Sequence, residues 1–223
     1  MKGKINDIFE SIQGEGIYLG EEQIFVRLFG CNLGCKYCDT KISSFRELEP
    51  QQLLEELQTY KDTYHSISFT GGEPLLQKDF LKEAMALTKK AGYKNYLETN
   101  GILYQELEAV IDLTDFIAMD IKLPSSTGQR DFWQEHRAFL KVASRKEVFL
   151  KVVVCHTTEE KDLRLMLDLI KEINSALILV LQPNSYDEDE HLRKKMDNFK
   201  EICSREGIIG CIIPQMHKIL NLE

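Results

Sequence analysis

Cys31, Cys35 and Cys38 stand in a C-x3-C-x2-C spacing within one glycine-punctuated segment, GCNLGCKYCDT. Three thiols this close can wrap a single metal centre. Structural zinc wants four ligands, and no Cys or His follows within the next twenty residues, the nearest being His65. A disulfide would use two thiols and strand the third. Iron–sulfur clusters are normally held by cysteine thiolates. A four-iron cluster held by only three of them leaves one iron open to a ligand, which suggests chemistry rather than electron storage. A zinc site remains the alternative on these residues alone. The other three cysteines, Cys155, Cys203 and Cys211, are too far apart for a second cluster and read as apolar core thiols.

Two further segments carry polar groups in compact form. Thr70-Gly71-Gly72-Glu73-Pro74 ends a β-rich run. Glycines there let a ligand approach the backbone closely, although the same string could be a plain strand–helix turn. Glu10-Ser11-Ile12-Gln13-Gly14-Glu15-Gly16 places two carboxylates and an amide around two glycines. Those groups can pair with a polar heterocycle that carries amidine-like donors and amide acceptors. Read blandly, it is a polar turn. Arg27 sits among Phe25, Val26, Leu28 and Phe29, and a planar guanidinium in such a place suits a carboxylate.

The elements that must hold these residues alternate. Short β-rich runs at Ile24–Phe29, Ser66–Thr70, Asn95–Thr99, Phe116–Ile121, Val148–Cys155, Leu177–Leu181 and Ile208–Ile213 are separated by helical patterns. The helices are expected over Pro50–Lys61, Phe80–Ala91, Tyr104–Ile111, Phe132–Ser144, Glu160–Asn174 and Glu188–Glu206, with a short one to the end. Such alternation predicts βαβ units and a parallel sheet, either doubly wound or a partial barrel. In both, functional groups gather at the carboxyl ends of the strands. Glu98-Thr99-Asn100, Asp120-Ile121-Lys122 and Gln182-Pro183-Asn184 fall there beside the segments above.

At 223 residues, the chain suits one domain over 1–223 and is short for a complete eight-unit barrel of about 250 residues. Twenty-eight Lys and Arg against thirty-six Asp and Glu give a formal charge of −8, which argues against a broad nucleic-acid surface. No apolar run is long enough to span a membrane. The N-terminus lacks an apolar signal core, so a cytoplasmic location is expected.

The cysteine triplet, with aromatic Tyr37 before the third Cys, resembles the signature of the radical S-adenosylmethionine superfamily, and TGGEP resembles its second motif. Within it, ESIQGEG, Phe25-Val26-Arg27-Leu28, GCNLGCKYCDT, ETNG, LQP and PQMHK resemble the 7-carboxy-7-deazaguanine synthase family along most of the chain. The resemblance implies an α/β fold: a partial, open, TIM-like barrel of parallel strands. It implies conversion of 6-carboxy-5,6,7,8-tetrahydropterin to 7-carboxy-7-deazaguanine with release of ammonia, a ring contraction toward queuosine. S-adenosylmethionine would be regenerated in each turnover. A [4Fe-4S] cluster, S-adenosylmethionine and Mg2+ are the implied cofactors. A homodimer, and a reduced flavodoxin or ferredoxin as electron donor, are implied as well.

Carried over position by position, the resemblance makes Cys31, Cys35 and Cys38 the cluster ligands and Thr40 the Mg2+ ligand. Tyr37, Cys38, Asp39, Gly72, Asp120, Ile121, Lys122, Gln182, Pro183 and Asn184 would contact S-adenosylmethionine. Ile12, Gln13, Gly14, Arg27 and Thr70 would contact the pterin, and no side chain is singled out as an acid–base or nucleophilic catalyst. The family often has Ser-Pro-Lys where this chain has Asp120-Ile121-Lys122, and it often places a carboxylate shortly after Pro183, where Asp187 comes late. Lys151 is expected to point into the barrel interior, and Trp133 to pack on the core or an interface. A glycyl-radical activase of the same superfamily and a non-enzymatic zinc module are the competing readings.

Overall fold

Alternation of side chains along each strand builds a two-faced sheet. The computed structural model describes residues 1–40, 42–60, 63–187, 189–216 and 218. Its strands are β1 (Gly3–Ile12), β2 (Glu22–Leu28), β3 (Arg46–Leu48), β4 (Ser66–Gly71), β5 (Asn95–Thr99), β6 (Phe116–Asp120), β7 (Glu147–Val154), β8 (Ile178–Pro183) and β9 (Ile209–Ile212). The helices are α1 (Pro50–Leu57), α2 (Lys78–Lys90), α3 (Tyr104–Val110), α4 (Pro124–Thr127), α5 (Trp133–Ala143), α6 (Glu160–Ile173) and α7 (Glu190–Arg205). The nine strands form one sheet in the order β3-β1-β2-β4-β5-β6-β7-β8-β9. From β2 to β9 every pairing is parallel, as the βαβ pattern predicts. The order has two ends, so the barrel is open.

The sequence pattern missed one edge. It places the first strand at Ile24, yet β1 runs for ten residues before it and pairs antiparallel with both β2 and β3. An irregularity in the β1–β2 register between Ile5 and Asp7 is the reason. Both Ile5 and Ile8 point into the core, three residues apart, so the period-two signal is broken. The polar turn read at Glu10–Gly16 is thus the end of β1 and the loop that follows it. The two terminal helix expectations extend onto Lys61 and Glu188, which lie outside the described residues. The helix expected at the chain end falls largely outside them too.

One face of the sheet is covered by helices. Ile24, Val26 and Leu28 of β2, Ile67 and Phe69 of β4, and Leu179 and Leu181 of β8 are buried against apolar stripes such as Phe80, Leu81 and Met85 of α2. Each such side chain contributes roughly 1.5–3 kcal/mol through its burial. Cys203 of α7 and Trp133 of α5 pack here as well, and Cys155 is buried at the end of β7. All six cysteines are free thiols in this structure.

The other face lines the inside of the partial barrel, in two layers. Toward the strand N-termini, Tyr96, Phe149 and Val180 pack with Tyr18 and Phe116 into an apolar floor. Two residues beyond Tyr96, Ala118, Phe149 and Val180 the side chains turn polar, at Glu98, Asp120, Lys151 and Gln182, with Thr70 of the neighbouring β4 beside them. Period-two geometry stacks the polar layer on the floor, at the carboxyl ends of the strands.

Candidate active site

The cysteine loop is fastened on three sides before any ligand is considered. Lys36 N donates to Thr127 O at 3.1 Å, and Gln129 Nε2 donates to Gly34 O at 3.1 Å, which ties the loop to α4. Asn100 Nδ2, beyond β5, donates to Asn32 Oδ1 at 2.7 Å. The end of β4 forms the third side. Gly72 N donates to Leu28 O at 3.1 Å, and Glu73 N donates to Gly30 O at 2.8 Å. A Cβ on Gly72 would lie 2.0 Å from Gly30 O, and one on Gly71 would lie 2.3 Å from Leu28 O. Both glycines therefore admit the neighbouring backbone that launches the cysteine loop. Glu73 completes the joint from a fully buried position. Its carboxylate accepts from Leu75 N (3.2 Å), Thr99 Oγ1 (2.9 Å) and Asn100 N (2.7 Å). Burial pushes its pKa up to about 7 against those hydrogen bonds.

Two pockets open at the polar layer. The first is lined by Cys31, Cys35, Tyr37, Cys38, Gly72, Asn100, Asp120, Lys122, Lys151, Gln182 and Asn184. The second is lined by Ile12, Gln13, Gly14, Phe9, Phe25, Arg27 and Lys218. Glu15, Asp39, Thr40, Thr70, Gly71 and Glu98 line both and form the wall between them. The structure thus brings together Tyr37, Cys38, Asp39, Gly72, Asp120, Lys122, Gln182 and Asn184 in one pocket. It gathers Ile12, Gln13, Gly14 and Arg27 in the other, with Thr40 and Thr70 on the seam. Ile121 and Pro183 are not lining residues. Ile121 is buried in the core, and its amide donates to Lys151 O at 2.8 Å. Pro183 borders an adjoining hollow that shares Asn184 and Gln215 with the first pocket and Tyr186 and Lys218 with the second.

In the first pocket, Lys122 Nζ donates to Asp120 Oδ2 at 2.8 Å and to Tyr37 OH at 3.3 Å. Burial disfavours its charge, but Asp120, Tyr37 and Cys35 outweigh burial and hold its pKa well above the lysine range. Burial raises the Cys31 and Cys35 thiols. A metal centre would hold them as thiolates. Among the described residues, three buried acceptors have no hydrogen-bond partner: Asn100 Oδ1, Asp120 Oδ1 and Gln182 Oε1. Buried acceptors are normally satisfied, so this pocket fits a ligand rich in donors. An α-amino acid ammonium, ribose hydroxyls and an adenine amine are such donors. Among the described residues, no group of three His, Cys, Asp or Glu side chains converges on a single-ion site.

The second pocket has a cationic and an amide side. The Arg27 guanidinium lies over the Phe9 ring at 4.9 Å, and Phe9 stacks on Phe25 at 5.2 Å. Gln13 is buried and committed within the protein. Its Nε2 donates to Gln23 Oε1 (3.0 Å) and Glu98 Oε1 (2.9 Å), and its Oε1 accepts from Glu15 N (3.0 Å). Thr70 Oγ1 donates to Glu98 Oε2 at 2.7 Å, so Glu98 is a hub of the dividing wall. Thr40 Oγ1 donates to Asp39 Oδ1 at 3.4 Å. Burial opposes ionisation of Asp39, but hydrogen bonds from Lys218 and Gln215 prevail and hold its pKa below the usual carboxylate value.

Sequence reasoning missed His136. It lies on α5 one turn after Trp133 and shares the buried stripe of Phe139 and Leu140. Nε2 accepts from Lys122 N at 3.0 Å, so the ring is neutral and Nδ1–H donates to Gly101 O at 2.9 Å. Burial lowers its pKa to about 4. One imidazole therefore joins the ends of β5 and β6. A polar residue at a core position of an amphipathic helix was the available signal. Lys151 does point inward, as expected, and pairs with Glu15. His156 is half exposed and pairs with Asp189 away from both pockets, and His217 lies outside the described residues.

The family model described as Radical SAM superfamily matches residues 26–146. The 7-carboxy-7-deazaguanine synthase of Geobacter sulfurreducens is 34% identical over 98% of this chain and 97% of its own length. The protein of that name from Methanothermobacter thermautotrophicus is 35% identical, over 100% and 99%. Among solved structures, QueE from Escherichia coli matches 95% of this chain and 94% of its own with a TM-score of 0.68 at 22% identity, a likeness of fold. A structure of TYW1 matches 82% and 73% with a TM-score of 0.60 at 14% identity. The superfamily implies a [4Fe-4S] cluster and S-adenosylmethionine. Its cysteine signature and open α/β sheet, with relatives of one name matched from end to end, show that the chain belongs to the 7-carboxy-7-deazaguanine synthase family of radical S-adenosylmethionine enzymes.

Proposed function

We infer that the protein converts 6-carboxy-5,6,7,8-tetrahydropterin to 7-carboxy-7-deazaguanine with release of ammonia. The observation that carries this reading is the shared wall. A thiol-lined pocket with three open acceptors adjoins a pocket holding an arginine and a turn of amide and carboxylate groups. Such an arrangement suits a cofactor and a small anionic heterocycle held side by side.

When bound, the reduced cluster and S-adenosylmethionine supply a 5′-deoxyadenosyl radical for hydrogen abstraction. The chain's own residues hold and orient. Cys31, Cys35 and Cys38 would ligate the cluster. Asn100, Asp120 and Gln182 would accept from the ammonium, ribose and adenine donors of S-adenosylmethionine. Tyr37, Asp39, Gly72, Lys122 and Asn184 would complete that site. Arg27 would bind the pterin carboxylate bidentately, with Phe9 holding its plane. Gly14 and Ile12 would offer backbone groups to the heterocycle, and Gln13 would act through the Glu15 and Glu98 carboxylates that it fixes. Thr70 and Glu98 would hold the substrate edge nearest the cofactor.

Thr40 is proposed as the protein ligand of Mg2+, shared with the substrate carboxylate. Its hydroxyl stands on the seam, and a hard cation takes oxygen ligands and keeps several waters. The Thr40→Ala variant is expected to turn over roughly tenfold more slowly at limiting Mg2+ and to change its Mg2+ dependence. Activity equal to wild type at every Mg2+ level would remove this role. A reduced flavodoxin or ferredoxin as donor, a homodimer and a cytoplasmic location complete the proposal. No helix among the described residues is long and apolar enough to cross a membrane.

The deciding experiment incubates reduced, reconstituted protein with the carboxytetrahydropterin, S-adenosylmethionine and Mg2+. Ammonia and a new deazapurine chromophore are expected in equal amounts. If neither forms, the reading fails and the activase becomes the better one.

A further inference from the structure

The open barrel leaves a gap between its two ends, and the chain beyond β9 crosses it. Ile213 N donates to Leu181 O at 3.1 Å on the β8 side. Met216 N donates to Gly14 O at 2.9 Å on the β1 side. Lys218 Nζ donates to Ser185 Oγ at 2.8 Å and pairs with Asp39. Between these anchors, Gln215 reaches into the first pocket. Its Nε2 donates to Glu15 Oε1 at 2.7 Å and to Asp39 Oδ2 at 3.0 Å. Both hydrogens of one amide nitrogen are thus spent on two carboxylates of the dividing wall. The second oxygen of Glu15 is engaged by Lys151 of β7.

Bridging the two carboxylates takes a double donor. A carboxylate would add a third negative charge, and a hydroxyl has one hydrogen for two acceptors. The partners lie 200 and 176 residues away in the chain. One is on the turn after β1, and the other follows directly on the last cysteine of the triplet. We propose that Gln215 is a positioning residue: it clamps Glu15 to Asp39 and so fixes the substrate pocket in register with the cysteine loop. This rests on the function inferred above. With the register lost, S-adenosylmethionine is cleaved without transfer to substrate. The sulfonium C–S bond breaks with one electron from the reductant. Methionine leaves, and the adenosyl carbon takes a hydrogen atom from a small dithiol added to the assay, whose thiyl radicals couple to disulfide, to give 5′-deoxyadenosine.

The test uses full-length, cluster-loaded protein and two variants, Gln215→Met and Gln215→Glu. Methionine keeps the length without donors, and glutamate keeps the shape but repels both partners. Iron and sulfide contents are expected to match wild type. KM for the carboxytetrahydropterin should rise, and 5′-deoxyadenosine formed per deazapurine should rise by about tenfold or more, the scale of one lost hydrogen bond to a charged group. Glutamate should be the more severe. A fold defect lowers both products together and leaves their ratio unchanged, so an unchanged ratio overturns the proposal.

Amide hydrogen exchange gives a second reading that needs no turnover. Exchange at Gly14–Gly16 and Asp39–Thr40 should quicken by about tenfold in both variants, with β4 to β6 unaffected. Unchanged exchange at those two segments overturns the clamp. If wild type makes no deazapurine, the functional reading fails by itself, while exchange still decides on Gln215.

Discussion

The Gly72→Ala variant is expected to lose most of its capacity to hold iron and sulfide. Its Cβ would stand 2.0 Å from the Gly30 carbonyl oxygen, and the next atom met is Gly30 C at 2.5 Å. These are backbone atoms, so no rotamer change relieves the contact. The end of β4 and the start of the cysteine loop must separate by about 1 Å to reach ordinary contact, at a cost of about 1–3 kcal/mol or more. The Glu73 N to Gly30 O hydrogen bond is lost in the process. Cys31 follows Gly30 directly, so its thiol is displaced from the other two. Anaerobic reconstitution followed by iron and sulfide analysis reads the result. A wild-type cluster content in a variant of unchanged melting temperature would refute the account. An acidic or thiol ligand lost elsewhere would impair one contact, whereas this methyl group disturbs the frame that sets all three thiols.

His136→Ala carries the second large expected effect. The substitution leaves Lys122 N–H and Gly101 C=O without their partner and opens a cavity beneath the ends of β5 and β6. Unpaired buried backbone groups and a cavity together cost about 3–5 kcal/mol, which lowers the melting temperature of a chain this size by about 10 °C. The pH dependence has a defined sign. The folded pKa is depressed from 6.5 to about 4 by burial, so the unfolded chain binds the proton more readily. The contribution of the neutral ring is therefore full above pH 6.5 and is lost as pH falls toward 4. It amounts to about 3 kcal/mol over that window. The alanine variant lacks this ionisation, so its deficit against wild type should narrow between pH 6.5 and 4.5. Glu73 acts oppositely in both proteins, since its raised pKa favours the fold at low pH and that contribution fades as pH rises through about 7. It cancels in the comparison. A deficit that stays constant from pH 8 to 5 would show that the fold does not hold the His136 ring neutral below its ordinary titration range.

What the sequence disclosed depended on how local each signal was. The cysteine spacing, TGGEP and the polar ends of the later strands are contiguous strings, and the parallel order follows from strand–helix alternation. The placement of Arg27 near apolar partners was also readable, because β2 presents Phe25 and Arg27 on one face. The β1 edge was hidden by an irregular register that spaces Ile5 and Ile8 as a helix would. The role of the glycines was legible only as an invitation to a ligand. The structure shows that the guest at Gly72 is the protein's own backbone. His136 and Gln215 act through pairings with sequence separations of 14 to 200 residues, which no local pattern encodes. Glu98 and Asn100 were visible at a strand end, but their partners were not. One is the hub of the wall, and the other anchors the cysteine loop.

The sheet's two ends also bear on how the protein behaves when it is crowded. An unclosed sheet presents a row of unsatisfied main-chain groups at each border, and such rows template the stacking of further chains into fibres. Here one border is β9, four residues long, with Pro214 following two residues after it, and the other is β3, three residues long with exposed Arg46 and Glu47, which covers β1 only at Gly3–Ile5 and leaves Asn6–Ile12 of β1 as the border beyond it. The β9 border offers few successive groups to a further strand, and along β1 the Tyr60 hydroxyl already donates to the Ile8 carbonyl at 3.0 Å. Strand addition is thereby limited at β9 and interrupted along β1, without closing the barrel around its contents.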